Sequence, residues 1–143
     1  MNTDDTVEAI AAELNSVAIH LVRRLRRADA SLGITSSRLS ALSVLVFGGP
    51  RSMNELADAE QVAGPTISKI VSALESAGLV ARRAHPSDGR AVMLKATRKG
   101  ATLMERGRRN RVDQLAAELR TLAAGDLDVL ARAAHVLRNL ESR

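Results

Sequence analysis

The chain begins with apolar residues three and four apart: Ile10, Leu14, Val17, Leu21 and Leu25. That period is the stripe of an amphipathic helix, predicted over about 5–31, with Gly33 as its stop. Leu39, Leu42, Leu45 and Val46 carry the pattern into a second helix, capped by Thr35 and broken by "GGP" at 48–50. "SMNE", residues 52–55, is a capping box: the Ser side chain can satisfy the amide three residues on, and the Glu can reach back. It opens a short third helix, "MNELADAEQ". In the helix after that, Ile67, Ile70, Val71 and Leu74 share one face. Pro65 sits in its first turn, where a missing N–H costs nothing, and Gly78 ends it.

The period then changes. Two short runs, near 80–84 and 91–96, flank "HPSDGR", and Pro86, Asp88 and Gly89 each favour a tight reversal. A β-hairpin is predicted. Thr97 is placed to cap a long fifth helix running to about 123, with Val112, Leu115, Leu119 and Leu122 in a seam. "AAGD" interrupts it, and a sixth helix carries Leu127, Leu130, Ala134 and Leu137. The predicted fold is mainly α with a small antiparallel β-wing. A winged helix-turn-helix module spans about 35–97, flanked by helices at about 5–31 and 98–141.

Composition narrows the chemistry. A chain of 143 residues with 45% hydrophobic content suits one domain with a real core. Phe47 is the only aromatic, so that core is aliphatic, and no Trp or Tyr can stack on bases as RNA and single-strand platforms require. Net charge is +5, which suggests an acidic partner. Between Arg82 and Arg111 stand Arg82, Arg83, Arg90, Lys95, Arg98, Lys99, Arg106, Arg108, Arg109 and Arg111 against only Asp88 and Glu105. A second basic block, "RRLRR", covers 23–27 and fits a solvated face or cross-subunit ion pairs.

With no cysteine, disulfides, thiol sensing and Cys-ligated zinc are excluded. His20, His85 and His135 are too scattered for a metal site, so no metal and no cofactor are expected. His85, Ser87 and Asp88 lie within one exposed turn with no implied oxyanion hole, and no catalysis is expected of them. The N-terminus lacks the form of a secretory signal, and "ALSVLVF" is too short to span a bilayer. A soluble cytoplasmic protein without membrane contact is expected.

The stretch "SMNELADAEQVAGPTISKIVSALESAGLVARRAHPSDGRAVMLKATRKG" resembles the MarR family of bacterial transcription regulators. Asp88-Gly89-Arg90 after "GLVARR" is the most specific element, and "NELA" and "PTISKIV" follow the family in order and spacing. The outer helices match too. Ala63 and Gly64 depart from it, standing where a capping Ser and a long polar residue are common. The resemblance implies an obligate homodimer joined by the N- and C-terminal helices. It implies a recognition helix at about 64–77 in a major groove and a wing at an adjacent minor groove. The function implied is sequence-specific binding of double-stranded DNA at a pseudo-palindromic operator, as a repressor released by a small molecule. The alternatives are a winged-helix protein-interaction module, or a constitutive DNA binder without ligand control. A protein-binding wing would have no need of Asp88 and Arg90.

Within that frame Pro65, Thr66, Ser68, Lys69 and Ser72 occupy the open side of the recognition helix and suit phosphate and base-edge contacts. Ser72 equally suits an ordinary polar face. Arg82 and Arg83 suit backbone phosphates, or one of them covers the sheet. Arg90 suits the narrow minor groove, with Asp88 holding its guanidinium. His20, Arg24, Arg38 and Phe47 are expected near the walls of a ligand cleft between the dimer helices and the winged-helix module. Phe47 is alternatively core, and Arg38 alternatively an ion-pair partner. The arginine block in the first helix suits a small anionic ligand, and the resemblance implies that it is an aromatic one.

Overall fold

The computed structural model describes residues 3–141. Six helices and one hairpin run in the order α1 (Thr3–Asp29), α2 (Ser36–Gly48), α3 (Met53–Glu60), α4 (Gly64–Ser76), β1 (Val80–Ala84), β2 (Val92–Ala96), α5 (Arg98–Leu119) and α6 (Ala124–Glu141). The chain is mainly helical with a small antiparallel wing, as the periodicity predicts. No single helix among the described residues is long and apolar enough to cross a membrane.

Helix ends follow local chemistry. The Thr35 and Thr97 side chains accept from the amides of Arg38 and Gly100. Ser52 and Glu55 complete the capping box: Glu55 N–H donates to Ser52 Oγ (3.2 Å), and Ser52 N–H donates to Glu55 Oε2 (2.7 Å). α1 stops at Asp29, two residues before the predicted end. Ala30–Leu32 tighten into a 3₁₀ turn that Gly33 closes at φ +73°, a conformation suited to glycine. α5 likewise stops at Leu119 rather than near 123. The amides of Thr121 and Leu122 donate to the carbonyls of Glu118 and Leu119, three residues back, and the Thr121 hydroxyl takes Glu118 O again (2.7 Å).

The core is aliphatic. Leu42, Leu56, Ile67, Val71, Leu74 and Leu94 are almost wholly removed from water, with Met104 closing it from α5. Each such side chain contributes about 1.5–3 kcal/mol by burial. α2 packs on α3, α4 and α5, and β2 packs on α2 and α3. This core fixes the four-residue face of α4 predicted from its period: Ile67, Ile70, Val71 and Leu74 are buried. Phe47 is not part of it and stands 74% exposed. The buried side of α2 is Ala41, Leu42 and Leu45, and position 47 turns off that face.

The Glu55 carboxyl is held below the usual glutamate range, first by the Ser52 backbone N–H and then by the Ser52 hydroxyl. A depressed acid contributes stability that is present above its unfolded pKa and lost as pH falls through the lower folded value. The box therefore weakens only below the ordinary glutamate range. Ser52→Ala is expected to lower stability at neutral pH by about 1 kcal/mol, read as a lower urea midpoint at constant m-value. An unchanged midpoint would show that the cap contributes nothing.

Candidate nucleic-acid interface

α3 hands the chain to α4 through a turn that needs an unusual backbone. Gln61 takes φ +55°, the only positive-φ non-glycine residue among those described, and its N–H donates to Ala57 O and Asp58 O. Val62 N–H also donates to Ala57 O (3.1 Å). This terminus sets the angle between the two helices. α4 then starts from Ala63 with no side-chain cap, as the departure at that position implies. Pro65, Thr66, Ser68, Lys69 and Ser72 are all exposed, opposite the buried face. Among the described residues Lys69 has no carboxylate partner.

The wing pairs Val80 with Ala96, Arg82 with Leu94 and Ala84 with Val92 in antiparallel register. Arg51 extends it by one rung. Its N–H donates to Leu94 O (3.0 Å) and its carbonyl accepts from Leu94 N–H (2.7 Å). At the tip His85 N–H donates to Ala91 O (2.9 Å) and Ala91 N–H to Asp88 O (3.1 Å).

Two side-chain roles differ from those expected. Asp88 Oδ1 accepts from the Arg90 backbone N–H (3.0 Å) and does not hold the guanidinium. The carboxylate shapes the turn, as a short Asx side chain does, and leaves the Arg90 head free of any carboxylate among the described residues. Arg82 reaches α4, where its Nε and Nη2 donate to the two Glu75 carboxylate oxygens (2.8 and 3.2 Å). This bidentate pair ties wing to helix. Arg83, on the outer face, makes only a bond to the Arg82 carbonyl (2.9 Å).

The root of the wing was not legible as a functional element. Thr97 Oγ1 donates to Gly78 O (2.6 Å) while accepting from Gly100 N–H (3.1 Å), and Thr97 N–H donates to Leu79 O (2.9 Å). Lys99 Nζ donates to Ala77 O (2.7 Å). Only the cap on Thr97 was visible beforehand. Lys95 was also missed, though strand alternation puts it on the same outer face as Arg83.

The ligand residues do not converge within one protomer. His20 and Arg24 line a groove of about 230 Å³ on α1 with Ser16, Val17 and Leu21. Arg24 is ion-paired to Glu118 of α5. Arg38 and Phe47 lie exposed on α2, away from that groove. A larger cleft, about 510 Å³, lies between α1, α2 and α5. Its charged lining is balanced: Arg26 and Arg111 against Asp29 and Glu60. Arg111 is paired to Asp29, and Glu60 accepts from the Ser40 hydroxyl (3.0 Å).

A polar, partly cationic helix face held beside a basic hairpin is the geometry of a winged-helix DNA reader. Residues 32–91 match the model of the MarR family. The HTH-type transcriptional regulator Mb0904 of Mycobacterium bovis is 34% identical over 133 residues, covering 93% of each chain. The chain belongs to the MarR family. Solved structures share the fold: the transcriptional regulator Tm0710 of Thermotoga maritima superposes with a TM-score of 0.81 at 26% identity, covering 95% of this chain and 99% of that one. A MepR variant of S. aureus bound to an oligodeoxyribonucleotide gives 0.71 at 20% identity, covering 93% and 96%. NadR in complex with 4-hydroxyphenylacetate gives 0.61 at 25% identity, covering 90% and 91%. The MarR-family chain described here is a transcriptional regulator with a winged helix-turn-helix.

Proposed function

We propose that the protein is a homodimeric repressor that binds a pseudo-palindromic operator in double-stranded DNA and is released by a small molecule, with no cofactor. One observation carries the DNA reading: Lys69 on α4 and Arg83 and Arg90 on the wing present charge with no carboxylate partner among the described residues. Cations left free beside a polar helix face suit a polyanion. Thr66, Ser68 and Ser72 add donors of a size that fits base edges and phosphates, and Pro65 starts the helix without a competing N–H. The oligonucleotide on MepR supports the same use of the fold, and 4-hydroxyphenylacetate on NadR supports control by a small molecule. The homodimer rests on α1 and α6. Val7, Ile10, Leu14 and Val17 on the one, and Leu127, Leu130, Val136 and Leu137 on the other, are exposed in the protomer.

Footprinting on DNA upstream of the coding region tests the reading. Protection is expected over an inverted repeat whose half-sites lie about one turn, ~34–36 Å, apart. A protected site without twofold character would count against it. Arg90→Ala is expected to weaken binding most where the flanks are A/T-rich and the minor groove is narrow. Lys69→Ala is expected to weaken it evenly and to reduce the salt slope by ~1. Affinity against salt on two flanking sequences separates the two, and unchanged binding by Arg90→Ala would remove the wing from the interface.

A further inference from the structure

The wing tip uses one device twice. Asp88 Oδ1 accepts from the Arg90 N–H (3.0 Å), and His85 Nδ1 accepts from the Ser87 N–H (3.2 Å). In each case a side-chain acceptor takes the amide two residues on, as in an Asx turn. His85 is half-buried beside Pro50, Pro86 and Met93, whereas residues 86–90 are all exposed. The ring is therefore the anchored end, and the Arg90 head is carried on the segment that hangs from it. The Ser87 amide also fixes the neutral tautomer: Nδ1 holds the lone pair and Nε2 the hydrogen. A protonated ring has N–H on both nitrogens and no lone pair. The Ser87 N–H then faces a donor, and Nδ1–H can donate to Ser87 Oγ, 3.0 Å away. One proton from solvent thus exchanges an amide-held tip for a hydroxyl-held one. The charges around the ring are Arg83 and Lys95 on the outer face of the wing, Asp88 and Arg90 on the tip, and Arg51 and Glu55 at the start of α3.

We propose that His85 is a positioning residue for Arg90: the neutral ring fixes the tip and with it the discrimination between flanking sequences, and protonation removes that discrimination while adding a charge to the wing. The switch in the turn stands by itself; its effect on flanks rests on the reading of the wing as a DNA contact. The two effects on DNA have opposite signs and separate cleanly. The added cation strengthens binding to any duplex and steepens its salt dependence by ~1. The loosened tip weakens only the selection of a narrow minor groove.

One arm of the test needs no DNA. Full-length ¹⁵N-labelled protein is followed by NMR from about pH 8 to about pH 5.5, the span over which histidines change charge. The neutral His85 ring is expected as the Nε2–H tautomer, and the Ser87 amide resonance is expected to move with the ring's own titration. An Nδ1–H tautomer, or a Ser87 amide that ignores the ring, would overturn the switch. In the second arm, affinity is measured over the same span on the footprinted operator with A/T-rich or G/C-rich flanks. The ratio of the two affinities cancels whatever His20 and His135 contribute. It is expected to shrink by roughly fivefold on acidification, the usual net worth of one neutral hydrogen bond. In His85→Asn the side-chain oxygen can take the Ser87 amide and cannot titrate, so the ratio should stay high at every pH. In His85→Ala it should be low at every pH. A ratio that is flat with pH in the parent, or kept by His85→Ala, would overturn the positioning role and leave the switch in the turn standing. If no duplex is bound at any pH, the DNA reading fails and the positioning role with it, and the ring titration alone decides the switch.

Discussion

A chain ending at Ala123 is expected to sediment as a monomer and to bind its operator ~10²–10⁴-fold more weakly than the full chain. The reason is α6. It runs for 18 residues, and every one through Leu140 is exposed in the protomer. Isolated helices near that length are marginal in water, so its stability must come from packing of an apolar face. Leu127, Val129, Leu130, Val136, Leu137 and Leu140 are available for that, and α1 offers a second apolar stripe with none of its residues buried. In the proposed homodimer, two such helices exposed on one protomer form the halves of the interface with a second copy. Loss of the dimer uncouples the two half-sites, hence the size of the effect. The buried core draws nothing from α6, so the truncated chain should keep a cooperative unfolding transition by circular dichroism. A truncated chain that still sediments as a dimer with full operator affinity would place the interface elsewhere.

Gly100→Ala is expected to destabilise the protein by about 1–3 kcal/mol, although alanine is the better helix former. A Cβ at this position in the first turn of α5 would lie 2.3 Å from the Leu79 carbonyl oxygen and 3.1 Å from Leu42 Cδ1. The first contact is backbone and cannot rotate away. Relief requires moving Leu79 or α5, and both are held in the core. Gly125 is the matched control: it too is helical, and its Cβ would meet nothing within 4 Å. Gly125→Ala is expected to be neutral or to stabilise by up to about 1 kcal/mol. Thermal melts of the two variants beside the parent decide the matter, with a drop of several degrees expected for Gly100→Ala. Equal melting temperatures would mean that the junction is loose.

The parts that were legible in the sequence are those settled by neighbours along the chain. Ser52 with Glu55, Thr35 and Thr97 cap as their spacing requires, and the period of Ile67, Ile70, Val71 and Leu74 identifies the buried side of α4. Contacts made in three dimensions were not. Nothing in the spacing of Glu75 and Arg82 shows that a helix, a turn and a strand bring them into a bidentate pair. Asp88 and Arg90 do interact, but through the arginine's backbone N–H, because a short carboxylate in a tight turn meets the nearest amide before a long flexible head. Phe47 suggested core or pocket by its type, whereas burial on α2 is decided by angular position. The apolar stripe of α1 was read correctly as a stripe, yet in one protomer α5 half-covers only Leu21 and Leu25, and Ile10, Leu14 and Val17 stay exposed.

The junction at Thr97 has a mechanical consequence. Carbonyls of Ala77, Gly78 and Leu79, at the end of α4 and the start of the wing, are all gripped by Thr97 and Lys99 at the start of α5. These bonds couple the end of the reading helix directly to the start of the long helix. α5 has 22 residues and is ~33 Å long at 1.5 Å per residue. Its length would make it a lever arm if it tilts. A tilt of ~5° about its far end carries the near end, and α4 with it, through ~3 Å, since arc is length times angle. In the proposed homodimer the opposite arm would swing the other way, and the gap between the two reading heads would change by up to twice that amount. Grooves on one face of a duplex repeat at a fixed ~34 Å, so a shift of that size puts the heads out of step with the operator. In the proposed dimer, the spacing of such a calliper would be set at the far end of α5, away from the bases.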